Sequence, residues 1–172
     1  GVISADSGHI NVHETGAPEA TGHKVIALPT TDGRLSLEQI AECYHNHWND
    51  HSHEHTVQPG MVYLSCPAEN GLIYSKAELT EISEFCHNHG MHLFVDGARL
   101  GYGLMSDACD FTIADLAEAV NRALVACGFA EHPTDAYRFF VGDGVSKLFE
   151  RALPPEARTA ENIARIRTHF MP

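Results

Sequence analysis

From residue 1 to residue 96, short apolar runs alternate with stretches of helical period, and this alternation limits the possible folds more than any other feature of the chain. Gly1–Ala5, Lys24–Pro29 and Gly60–Ser65 are too short for stable helices and carry β-branched or aromatic residues, so they read as strands. Ser36-Leu-Glu-Gln39 and Ser75-Lys-Ala-Glu78 have the spacing of a capping box, in which the first hydroxyl and the fourth side chain satisfy each other's backbone N–H groups. The first box predicts an amphipathic helix to about Trp48. The second predicts a helix through Phe85 that stops at Gly90, followed at once by a strand ending in Asp96. Strands separated by helices imply parallel pairing, right-handed crossovers and a sheet covered on both faces.

The pattern changes after Thr112. From Asp115 to Arg167 helical periodicity runs almost throughout, with little strand signal beyond Phe139–Val141. Leu116, Val120, Leu124 and Cys127 share one helical face, and Gly128 supplies the stop. Leu148–Leu153 and Ile163–Phe170 read as two further helices separated by Pro154-Pro155. The expected organisation is therefore an α/β part, a partial large domain with a mostly parallel sheet and flanking helices (residues 1–114), followed by a small helical segment (residues 115–172).

A chain of 172 residues with 44% hydrophobic side chains can bury a core. Its net charge of −12 argues against nucleic acid and anionic membranes as partners. Five cysteines without CxxC spacing suggest reduced thiols and a cytoplasmic location, and no apolar span of roughly 18 residues marks a membrane helix. The sequence opens at Gly1 without an initiator methionine, which suggests a processed product or a fragment.

The chemistry concentrates at the ends of the expected strands. In Met91-His-Leu-Phe-Val-Asp-Gly-Ala-Arg-Leu100, a buried run delivers Asp96 and Arg99 to a carboxyl edge, where open α/β sheets bind ligands. A carboxylate there needs a cationic partner. That partner is either Arg99 in a structural ion pair or a ligand. His9 follows the first strand and the Glu69/Asn70 pair follows the third, so three strand ends present polar groups to one edge.

Several ordered segments make residues 1 to about 118 resemble the threonine-aldolase/β-eliminating-lyase family, fold-type I enzymes that use pyridoxal phosphate. These are Gly8-His-Ile through Glu14-Thr-Gly-Ala17, Ala20-Thr-Gly-His-Lys24, Glu69-Asn70-Gly71, Val95-Asp-Gly-Ala-Arg-Leu100 and Thr112-Ile-Ala-Asp-Leu-Ala-Glu118. The resemblance implies a lyase acting on β-hydroxy amino acids, with a small amino acid as substrate and a homo-oligomeric state. It places Asp96 against the pyridine nitrogen, His9 on the ring face, and Arg99 beside the cofactor and the substrate carboxylate. The family's anchoring lysine lies in a Gly-Thr-Lys context, which none of Lys24, Lys76 and Lys147 shares. The chain is therefore expected to be inactive by itself, with no catalytic residue of its own, and to lack the glycine-rich phosphate loop and the C-terminal domain of its relatives.

Residues 115 to about 170 resemble instead the helical cap of phosphoglycolate phosphatases of the haloacid-dehalogenase superfamily. The matching pieces include Asp115-Leu-Ala-Glu-Ala-Val-Asn-Arg-Ala-Leu124, Ala136-Tyr-Arg-Phe-Phe-Val-Gly-Asp-Gly144 and Lys147-Leu-Phe-Glu-Arg-Ala-Leu-Pro154. That superfamily's nucleophilic Asp-x-Asp-Gly-Thr is missing. The two resemblances meet at Thr112–Glu118, as in a chimera of two incomplete enzymes. The alternative functions are a phosphatase-like hydrolase using Mg²⁺ and a non-catalytic, self-associating α/β protein. The run His45-Asn-His-Trp-Asn-Asp-His-Ser-His-Glu-His55 reads as a polar surface loop able to bind Zn²⁺ or Ni²⁺ adventitiously, without the framework of a dedicated metal site. His87, His89 and His92 suggest helix C-capping around Gly90, and Gly142-Asp-Gly144 suggests a turn.

Overall fold

The computed structural model describes residues 1–141 and 144–170; Gly142 and Asp143 of the expected turn lie outside them. Compactness divides the chain into two units, Gly1–Asp96 and Gly97–Pro172.

The first unit carries strands β1 (Val2–Ala5), β2 (Val25–Leu28), β3 (Met61–Ser65) and β4 (His92–Asp96), all parallel in the order β2-β1-β3-β4. The short helices α1 (His9–Val12) and α2 (Ala17–Ala20) connect β1 to β2, α3 (Leu37–Asn49) leads to β3, and α4 (Lys76–Asn88) leads to β4. The first crossover steps to one side of β1 and the later ones step to the other. Strand order therefore reverses at the β1/β3 pair, where ligand crevices of such sheets form. Alternation along the strands buries Ile3, Val62 and Leu64, which form the core with Ile40 of α3 and with Ile82 and Cys86 of α4. Roughly 25 cal/mol per Å² of apolar area removed from water makes this layer the main stabilising term of the unit.

Both capping boxes form. The Ser36 hydroxyl accepts from the Gln39 N–H while the Gln39 side chain accepts from the Ser36 N–H, and Ser75 and Glu78 do the same for α4. Gly90, at φ +67°, turns the chain out of α4, and the Met91 N–H returns to the Cys86 carbonyl. His89 caps this end through Nδ1, 2.8 Å from the Phe85 carbonyl, with its ring stacked on Phe85 at 4.0 Å. The histidine run departs from its reading as a surface loop. His45 and His47 belong to the last turns of α3, the helix expected to about Trp48, and His47 is buried with Nδ1 2.9 Å from the Thr56 hydroxyl. Among the described residues no group of three or more His, Cys, Asp or Glu is placed to hold a metal ion.

The second unit contains α5 (Leu100–Gly103), α6 (Ile113–Ala126), a 3₁₀ segment (Thr134–Phe139), α7 (Val145–Ala152) and α8 (Ala160–Phe170). The change of pattern expected near residues 112–118 is the start of α6, whose N-cap Thr112 forms a third capping box with Asp115. Ala117, Val120, Ala123 and Leu124 bury one face of α6 in a core shared with Tyr137, Leu148, Phe149, Leu153 and Ile166. Gly128, at φ +83°, ends the helix in a Schellman arrangement, with Phe129 N–H on the Leu124 carbonyl and Gly128 N–H on the Val125 carbonyl. Phe139–Val141 forms no strand. Tyr137 is anchored in the core with Phe140 edge-on to it at 5.3 Å, a spacing of three residues that suits a helical turn and not an alternating strand. No helix among the described residues is long and apolar enough to cross a membrane.

Candidate functional site

Parallel pairing sends every C-terminal strand end to one edge. Residues 6–9 leave β1 there, residues 29–33 leave β2, and residues 66–70 leave β3, while β4 ends in Asp96 itself. An open cleft of about 520 Å³ lies among the first three loops, lined by Asp6, Ser7, Thr30, Asp32, Glu69 and Asn70.

Internal bonds hold these loops. Asp6 Oδ1 accepts from the N–H groups of Ser7 and Thr30 and from the Thr30 hydroxyl at 2.8 Å, tying the β1 exit to the β2 exit. The Thr30 hydroxyl is the main reason that the Asp6 carboxyl lies below its ordinary range. Arg34 forks onto Asp32 at 2.9 and 3.1 Å and also donates to the Ile73 carbonyl and to Glu78. Buried Tyr74 accepts the Leu35 N–H at 2.7 Å. The cleft is thus a braced polar surface whose carboxylates are engaged by the chain's own donors.

Beside it lies a second group of residues. Asp96, half-buried, accepts a 2.7 Å hydrogen bond from the Tyr63 hydroxyl. Register explains the contact: Tyr63 pairs with Phe94 and Ser65 with Asp96, so all four side chains share one face of the sheet. Tyr63 stacks on Phe94 at 5.2 Å and 15°. Ser65 turns its hydroxyl to Glu69, at 3.0 Å. His9, half-buried in α1, places Nδ1 2.6 Å from Glu14, so its ring orientation is fixed. Burial, then the hydrogen bond to Asp96 and the charges of Asp96, Glu14 and Glu69, push the Tyr63 hydroxyl far above its ordinary 10. Three carboxylates therefore bear on one phenol that stays protonated, a neighbourhood suited to a cation.

Two of the three residues singled out from the sequence, His9 and Asp96, sit at the carboxyl edge of the first unit. Arg99 belongs to the second unit, where it is the N-cap of α5. Tyr63 and Glu14 were not singled out. A tyrosine two residues before the polar end of a strand was the available signal, because a half-buried hydroxyl needs a partner.

Fold and edge together are those of an open α/β domain that meets its ligand at the carboxyl ends of its strands. The chain belongs to the beta-eliminating lyase family, whose sequence profile matches residues 1–124. It is 33% identical over 124 residues to the low specificity L-threonine aldolase of Pseudomonas aeruginosa and 31% identical over 124 residues to that of a Pseudomonas species. Each match covers 71% of this chain and 33% of the relative, so the chain spans about a third of their length. The solved structure of Leishmania major threonine aldolase aligns with a TM-score of 0.61 at 48% identity, over 68% of this chain and 33% of that one. The profile includes Asp115–Leu124, the stretch of α6 read from the sequence as the start of a phosphatase cap, and these matches lend that second reading no support.

Proposed function

We propose that Gly1–Asp96 is the ring-facing part of a pyridoxal-phosphate-dependent lyase of threonine-aldolase type, acting on small β-hydroxy amino acids. The observation that carries this reading is Asp96 at the carboxyl edge, held by Tyr63 within a neighbourhood of carboxylates. These residues fit the pyridine end of the cofactor: a carboxylate suits a protonated ring nitrogen, and an imidazole clamped by Glu14 offers a flat face of fixed orientation. Asp96 would hold the proton on the ring nitrogen, and His9 would orient the ring by area and π contact. When bound, the cofactor supplies an electron sink for a carbanion at the substrate's α-carbon.

We further propose that the chain by itself does not turn substrate over. Lys76 occupies the first turn of α4 and Lys147 pairs with Glu150 on α7, while Lys24 precedes β2. A covalent anchor of the family kind requires a lysine in another context.

Spectrophotometric titration with pyridoxal phosphate, followed by borohydride reduction and mass spectrometry, tests both readings. Saturable binding that weakens in Asp96→Asn by about 10- to 100-fold, the worth of a hydrogen bond to a charged group, supports the ring-facing assignment. Equal binding by Asp96→Asn would refute it. A stoichiometric reduced adduct on one lysine, with acetaldehyde released from threonine, would overturn the expectation of inactivity.

A further inference from the structure

We infer that Tyr63 is a positioning residue for the proposed cofactor site, fixing the plane of the Asp96 carboxylate through its 2.7 Å hydrogen bond so that a protonated heteroaromatic nitrogen is recognised. This inference rests on the reading of Asp96 given above.

Three features carry it. The bond spans neighbouring strands with a sequence separation of 33, so it exists only because β3 and β4 pair in register. The Tyr63 ring lies nearly parallel to Phe94, with 5.2 Å between centroids, which leaves rotation of the hydroxyl as its main freedom. The other hydroxyl on that row, Ser65, is committed to Glu69, so the two side chains divide the two carboxylates between them. Burial, then the hydrogen bond and the surrounding charges, keep the phenol a donor at every ordinary pH. A donor on one carboxylate oxygen favours the charged form and restricts rotation about the Cβ–Cγ bond, as partners of metal-ligating side chains do in their own sites.

The test uses the whole chain and 4′-deoxypyridoxine 5′-phosphate, a ring analogue that forms no covalent bond with lysine. Tyr63→Phe keeps the ring and its stacking and removes only the hydroxyl. We expect it to weaken binding of the analogue by about 5- to 10-fold, the scale of one hydrogen bond, and to move the pH at which the bound ring's absorbance changes. The Tyr63→Phe/Asp96→Asn double variant should bind no more weakly than Asp96→Asn alone. Tyrosinate absorbance provides a readout without any ligand: Asp96→Asn should bring one phenol of the chain into titration at lower pH, and Tyr63→Phe should abolish that change. Additive losses, or a Tyr63→Phe protein matching the wild type in affinity and pH profile, would overturn the positioning role while leaving the assignment of Asp96 standing. No binding of the analogue by the wild-type chain would instead remove the assignment of Asp96, and the inference with it.

Discussion

Gly8 separates β1 from α1, and replacing it with alanine tests whether the placement of His9 depends on backbone proximity. Its φ of −62° and ψ of 145° are open to any residue, so conformational strain is not the constraint. Space is. A Cβ at this position would lie 2.9 Å from the Ala5 carbonyl oxygen and closer still to the Ser4 hydroxyl. The serine oxygen can rotate, but the carbonyl cannot, because Ala5 is paired with Leu28 in the sheet and its oxygen accepts the Gly8 N–H. The first turn of α1 hangs on the Gly8 carbonyl through the N–H groups of Asn11 and Val12, so relief must come from moving α1, and His9 with it. Overpacking of this kind costs about 1–3 kcal/mol, against about 0.4–1 kcal/mol gained from a stiffer unfolded chain. The net loss is about 1–2 kcal/mol, or roughly 2–8 °C in Tm for a chain of this size. Urea unfolding followed by fluorescence of Trp48, the single tryptophan, reports the first unit directly. Binding of the deoxypyridoxine phosphate analogue should weaken by about 2- to 10-fold as the imidazole shifts from the ring, the worth of one aromatic contact. Gly101→Ala, where a Cβ meets nothing within 4 Å, is the control and should stay within about 0.5 kcal/mol. A Gly8→Ala protein matching that control in stability and the wild type in binding would refute the argument from crowding.

Asn121 bonds both the N–H and the carbonyl of His132 and accepts from the fully buried Tyr137 at 2.6 Å, so Asn121→Ala should cost about 2–4 kcal/mol and Tyr137→Phe only about 1 kcal/mol. Urea titration followed by far-UV circular dichroism checks the ratio, and equal losses would sink the account. Glu78 is held below its ordinary 4.5 by the Ser75 N–H, then by the Ser75 hydroxyl and Arg34, so its contribution is present above that value and is lost as pH falls through the depressed one. Glu78→Gln should flatten the fall in stability below pH 4.5, measured as urea midpoints across acid pH; an unchanged slope would count against it. The outer strands β2 and β4 each pair on one side only among the described residues, and Val95 is 40% exposed, so size-exclusion chromatography should show a species larger than 18.8 kDa. A clean monomer would contradict self-association.

Local chemistry was the legible part of the sequence. The capping boxes at Ser36 and Ser75, the stops at Gly90 and Gly128, and all four strands follow from groups within a few residues of each other, and they form as expected. What failed was decided at longer range. The histidine run reads as polar surface, yet Thr56 folds back onto His47 at the end of α3 and buries it. Phe139–Val141 looked like a strand because three apolar residues stand together, while the burial of Tyr137 imposes a helical turn. The position of Asp96 at a strand end was legible and its contact with Tyr63 was not, because that contact depends on the register between strands separated by a whole helix.

The family match ends at Leu124, and the physics of α6 gives that position significance. The buried face of the helix runs through Ala117, Val120, Ala123 and Leu124, so the matched sequence carries this apolar stripe while the residues that cover it come after the match. A helix of 14 residues gains most of its stability from packing such a stripe, not from propensity. Whatever follows must therefore present apolar groups at the right height. Tyr137, Phe149 and Ile166, all with no exposed surface, do so from three separate elements. The segment beyond the match is thus held to the requirements of a helix that belongs almost whole, Ile113 to Leu124, to the lyase sequence. That shared face is a stronger constraint on residues 125–170 than resemblance to any second family, because it acts through burial that each substitution along α6 would disturb.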